Sequence, residues 1–226
     1  MNFRLHSLLY FTTGIVFIAL ETWGLFLPGI AVKAIIIPLL VWMYLRFVRG
    51  EWNRFHRMIL FALVFSWIGD VTLQLAVLRE DFFLLGLASF MVTQLLYTVA
   101  FFSTCGPGVL ARRLYLLVPV AAYGGGILWL LWGGLGDMTV PVTVYTVVIL
   151  TMLVAAINRR EKVNPQSYRL VLAGAILFIL SDSMIAINKF HQPFELARVA
   201  IMGSYITAQF LIAVGCVRQF NLVLKN

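Results

Sequence analysis

Eight stretches of this chain are long and apolar enough to cross a hydrocarbon layer, and that repetition excludes almost every other architecture. They run about 7–27, 30–48, 57–78, 82–103, 114–135, 138–157, 168–188 and 196–217. Each approaches the ~20 residues that span a ~30 Å core as a helix, whereas a barrel strand needs only ~9–11 alternating residues. Of 226 residues, 62% are hydrophobic and 12% charged, against roughly 25% charged in a soluble domain. The links leave no room for a soluble domain. The pattern predicts an all-α integral membrane protein, with residues 1–226 forming one bundle of eight transmembrane helices.

The formal net charge of +8 invites a nucleic-acid reading that its placement refuses. One set of alternate loops holds Arg4, Arg46, Arg49, Arg54, Arg57, Arg112, Arg113, Arg159, Arg160, Lys162, Arg169, Arg218 and Lys225. The other set holds only Lys33, Arg79, Lys189 and Arg198. Cytoplasmic loops retain Lys and Arg, so both termini are expected in the cytoplasm, with no nucleic-acid partner. The apolar run after Arg4 continues for about 20 residues without a small-residue cleavage pattern, and reads as a retained first helix rather than a signal peptide. Small size and short loops lean toward a bacterial plasma (inner) membrane. Cys105 and Cys216, near cytoplasmic helix ends, are expected to be reduced thiols without catalytic consequence. Pro28-Gly29 reads as the turn after the first helix.

Within this apolar background Asp70 and Asp182 stand inside spans three and seven. An ionisable group in hydrocarbon is expensive and marks a functional site by default. Asp70 lies 13 residues after Arg57, and Asp182 lies 13 after Arg169, so both sit at a similar depth, about 20 Å from their basic flanks. Ser66, Asp70 and Gln74 repeat at i, i+4 and i+8 as one polar stripe. Asp182, Ala186 and Lys189 share a face, with Ser181 and Asn188 beside it. Such stripes turn to the bundle interior or a wet cavity. Glu21 falls in the same outer half, while Gln94, Tyr97, Tyr205 and Gln209 lie nearer the midplane. An Asp helix followed by a Gln helix, twice, is an echo consistent with a parallel 4+4 repeat.

Several chemistries are poorly served. His6, His56 and His191 lie at or beyond the surface, so no thiolate or histidine cluster stands at depth to bind zinc, and Ser66 and Ser181 lack a histidine base. No metal and no other cofactor is expected. Carboxyls in apolar surroundings favour acid–base chemistry, because burial disfavours the charged form and lets one of them keep its proton. Lys33 and Lys189 are placed to snorkel or to hold a lipid phosphate. An intramembrane aspartyl protease would need Gly-x-Gly-Asp, and Trp67-Ile68-Gly69-Asp70 does not supply it. A proton-coupled carrier of a small molecule or lipid, using Asp70 and Asp182, is the alternative to an enzyme.

The segments Ser66-x-x-Gly69-Asp70-x-x-Leu73, Gln94-Leu95-Leu96-Tyr97 with Phe101, Gly174-Ala175-x-Leu177-Phe178-x-x-Ser181-Asp182 and Tyr205-x-x-Ala208-Gln209-x-Leu211-Ile212-x-x-Gly215, in that order, resemble the YhhN family of eight-helix membrane proteins, the lysoplasmalogenases. Two positions depart from the family pattern. Gln94 stands where histidine is frequent, and Ala34 follows Lys33 where the family reads Lys-Pro, the proline coming later at Pro38. The resemblance implies a lysophospholipid substrate, hydrolysed at its vinyl ether bond to a fatty aldehyde and glycerophosphoethanolamine or glycerophosphocholine. Asp70 and Asp182 are then the implied catalytic pair. Glu21, Lys33, Ser66, Gln94, Tyr97, Ser181, Asn188, Lys189, Tyr205 and Gln209 are the residues expected to bind substrate or support the pair, with the headgroup toward Lys33 and Lys189. Oligomeric state stays open.

Overall fold

Apolar side chains around the whole helix circumference leave the chain no aqueous solution, and it forms eight helices. The computed structural model describes residues 3–48, 52–104 and 108–221; Arg49, Cys105 and Lys225 lie outside them. The helices are α1 (Phe3–Thr22), α2 (Phe26–Phe47), α3 (Arg54–Leu75), α4 (Asp81–Phe102), α5 (Leu117–Leu131), α6 (Thr139–Asn158), α7 (Pro165–Phe190) and α8 (Ala197–Asn221). Short 3-10 turns extend α5 at both ends, giving an apolar span over Leu114–Gly134. All eight are long and apolar enough to cross a membrane, and the protein is a multi-pass integral membrane protein.

Three helix ends move for local reasons. α1 stops at Thr22 and Gly24, at φ +72°, turns the chain. Pro28 and Gly29 therefore open α2 instead of forming the turn, and proline is tolerated there because a first-turn N–H has no helical acceptor. α7 starts at Pro165, ahead of the position 168 that hydropathy marks. Asn164 caps it by accepting the Ser167 N–H at 2.8 Å, and Pro165 fits its first turn.

Packing is closest between α3 and α4 and between α7 and α8. Small residues let those backbones approach. A Cβ at Gly174 would fall 2.8 Å from the Ala208 carbonyl, and one at Gly215 3.0 Å from the Val171 amide. α4 also meets α6, α2 joins α1 to α3, α1 and α2 close against α8, and α5 packs on α6 and α7. The Cys216 thiol is free and buried in this core.

Pro38 interrupts α2 and shows how the fold settles polar groups in hydrocarbon. Proline has no N–H, so the Ala34 carbonyl loses its helical donor. The Trp67 indole of α3 supplies the replacement, donating to Ala34 O at 2.8 Å. Trp67→Phe is expected to cost about 1 kcal/mol, the scale of one hydrogen bond between membrane helices. In a Pro38→Ala background the new amide serves the carbonyl, and the same change should cost far less. Thermal unfolding of the four variants in detergent measures that coupling.

Candidate active site

The stripe on α3 turns inward. Ser66, Asp70 and Gln74 are all buried, and α8 supplies the groups they need. The Tyr205 hydroxyl donates to Asp70 Oδ2 at 2.7 Å. Having spent its one hydrogen there, Tyr205 accepts from Ser66 Oγ at 2.6 Å. Gln209 Nε2 donates to Ser66 Oγ at 2.5 Å, and Gln209 Oε1 accepts from the Tyr97 hydroxyl at 2.7 Å. Five side chains from α3, α4 and α8 thus form one chain of donors with a single polarity, running from Tyr97 to the Asp70 carboxylate. Such an end-point fixes the direction of the carboxylate.

Asp182 has a different setting. Its Oδ2 accepts from the Tyr145 hydroxyl of α6, and its carboxyl stands on the wall between two cavities. One cavity is lined mainly by apolar groups, among them Leu87, Ile127, Leu131, Val142 and Ile149. The other carries Glu21, Lys33, Gln74, Ser181, Arg198 and Tyr205. Leu73, Phe83, Phe90, Asp182 and Ile185 line both. Asp70 lies close enough for its charge to act on Asp182, yet it is 3% exposed and stands behind Tyr205, which does face the cavity.

At the polar cavity Gln74 accepts from Lys33 Nζ at 3.3 Å and donates to Glu21 Oε1 at 2.7 Å. Ser181 instead ties α7 to α8, donating to the Ile201 carbonyl at 3.0 Å. Gln94 is fully buried with its amide toward the Tyr145 hydroxyl, but neither amide atom completes a hydrogen bond of normal geometry. Two expected residues stay outside the site. Asn188 Oδ1 accepts the Phe194 N–H at 3.3 Å, holding the α7–α8 connection. Lys189 lies over the Phe83 and Phe190 rings, 4.4 and 5.8 Å from their centroids, and does not line the polar cavity. Arg198 occupies the cavity in its place. The sequence reading missed Tyr145, whose helix carries no other strong polar signal, and counted Arg198 only as a topological charge.

The comparisons with known proteins converge. The sequence profile of the YhhN family matches residues 29–216. The chain is similar to lysoplasmalogenase TMEM86B of Sus scrofa, 35% identical over 67% of this chain and 60% of that protein. It is similar to lysoplasmalogenase TMEM86B of Homo sapiens at 33% over 70% and 62% of the two chains. A lysoplasmalogenase of Mycobacterium bovis is 33% identical over 59% of this chain and 50% of its own length. The match therefore spans about half to three-fifths of these relatives' lengths. No solved structure matches the chain.

The donor chain makes its members interdependent. Gln209→Met leaves the Tyr97 hydroxyl without its acceptor and removes one donor to Ser66 Oγ in a dry core, and is expected to cost about 1–3 kcal/mol. Adding Tyr97→Phe should then cost little more, because its acceptor is already gone. Unfolding of the single and double variants reads that non-additivity.

Proposed function

The chain belongs to the YhhN family, and we propose that it is a membrane-embedded lysoplasmalogenase, hydrolysing the vinyl ether bond of lysoplasmalogens to a fatty aldehyde and glycerophosphoethanolamine or glycerophosphocholine. The names of its relatives support this reaction. The observation that carries it here is the position of Asp182, a carboxyl on the wall shared by an apolar and a polar cavity. The alkenyl chain takes the apolar side, the headgroup takes the polar side, and the bond between them passes the carboxyl. Under the charge-derived topology, with both termini cytoplasmic, this site opens in the non-cytoplasmic half.

The division of labour follows from the two environments. Asp182 borders the apolar cavity and holds the proton; Asp70 ends a chain of donors and stays ionised. Asp182 gives its proton to the vinyl β-carbon, leaving an oxocarbenium ion next to the ether oxygen. The Asp70 charge stabilises that cation, and water adds to it while passing a proton through the Tyr205 hydroxyl to Asp70. The hemiacetal then collapses. Its hydroxyl proton returns to Asp182, and the departing glycerol oxygen takes the proton from Asp70 by the same route. One water is consumed and both carboxyls are reset. Glycosidases divide two carboxyls in the same way across an oxocarbenium-like transition state. A proton carrier is less well served, because the carboxamide of Gln209 interrupts the donor chain that would have to conduct.

Purified protein incubated with alkenyl-lysophosphoethanolamine should release aldehyde. Asp182→Asn should lower the rate by about 10²–10⁴-fold, the usual yield of general acid catalysis. The wild-type rate should fall at high pH, as Asp182 loses its proton, and at low pH, as Asp70 gains one. Asp70→Asn should abolish the low-pH limb as well as slow the reaction, which a merely structural role for Asp70 would not do. No aldehyde from folded wild type across several headgroups would overturn the assigned reaction.

A further inference from the structure

At the outer end of the bundle three helices bring charge to one place and a fourth brings an amide. Glu21 stands in the last turn of α1, Lys33 in α2, Gln74 in the last turn of α3 and Arg198 at the start of α8. All four line the polar cavity opposite Asp182 and Tyr205. They are not paired off. Gln74 stands between the Lys33 ammonium and the Glu21 carboxylate, bonded to each through opposite ends of one amide. Arg198 Nη1 donates to the Glu21 main-chain carbonyl at 2.8 Å, not to its carboxylate. Among the described residues neither Glu21, Lys33 nor Arg198 makes an ion pair. Lys33 is nevertheless 7% exposed, and a buried ammonium held without direct ionic contact is costly unless an anion completes it. Gly29 keeps the carboxylate in place, since a Cβ there would fall 2.8 Å from Glu21 Oε1.

We propose that Glu21 selects zwitterionic headgroups: its carboxylate takes the ammonium of ethanolamine or choline while Lys33 and Arg198 take the adjoining phosphate. The proposal rests on the lysoplasmalogenase reading and adds to it the residue that sets headgroup preference. Opposite charges held apart by one amide complement a ligand whose own opposite charges are held apart by two carbons. An anionic lysolipid with the same chain satisfies Lys33 and Arg198 but sets its extra negative charge or uncharged end against Glu21.

Binding is read without turnover by using saturated-ether lysolipids, which have no double bond to protonate. Wild type should bind alkyl-lysophosphoethanolamine about tenfold more tightly than alkyl-lysophosphatidic acid, the scale of one charge-assisted contact. Glu21→Gln keeps the Gln74 contact through its amide oxygen and should erase that preference, chiefly by weakening the zwitterion. Gly29→Ala retains the charge but displaces it, and should reduce the preference if Glu21→Gln does not fold. Equal binding of the two lipids by wild type, or an unchanged preference in the folded variants, overturns the proposal. Aldehyde release from the vinyl ether substrate is scored separately, so failure of the reaction and failure of the headgroup assignment give different results.

Discussion

Hydrocarbon offers no hydrogen bonds, and most polar groups buried in this bundle are answered by another group of the protein. That constraint explains features that otherwise look unrelated. A carbonyl freed by Pro38 is met by an indole from the next helix. A serine on α7 is tied to a carbonyl on α8. Tyr97, Gln209, Ser66 and Tyr205 form a line whose donors all point one way. In water each of these contacts would contribute about 1 kcal/mol or less. In the dry interior the alternative is an unsatisfied group, so they determine which faces of the helices can meet.

The same constraint separates the two aspartates. Equal depth and equal spacing from a basic flank make Asp70 and Asp182 look interchangeable in the sequence. Their surroundings are not. Asp70 receives a donor chain that spans three helices, and Lys33 stands near enough to interact with its charge. Asp182 meets one tyrosine and lines both the apolar and the polar cavity. Two carboxyls whose environments differ in this way are not equivalent, and the proposed division into proton holder and charge holder rests on that difference.

How much of this was legible in the chain depends on where the information resides. Length and hydropathy are local, and they placed eight helices with ends shifted by a few residues. The shifts came from caps: Asn164 and Pro165 extend α7, and Gly24 moves a turn that Pro28-Gly29 had advertised. The i, i+4, i+8 stripe of Ser66, Asp70 and Gln74 is also local and marked the correct face of α3. Tyr145 was not legible, since a tyrosine in an apolar helix becomes informative only when another helix brings a carboxyl to its hydroxyl. For Lys189 and Arg198 a helical face alone did not say which side chain lines the cavity. Lys189 shares a face with Asp182 but lies over the Phe83 and Phe190 rings, and Arg198 reaches the cavity from a helix whose sequence gave no reason to prefer it.

Gln94 carries this reasoning one step further. It lies beside Tyr145 at a position where the resembling family frequently carries histidine, and its amide is buried with no completed hydrogen bond. An imidazole there would be able to take and return protons to the Tyr145–Asp182 pair. A carboxamide cannot titrate; it can only orient the tyrosine hydroxyl. Under the proposed reaction, the proton that Asp182 gives up comes back from the reacting molecule itself. Collapse of the hemiacetal provides that return, because its hydroxyl is formed beside the carboxylate that has just been emptied. The aspartates can then complete the cycle between themselves, and the core around Gln94 can remain dry.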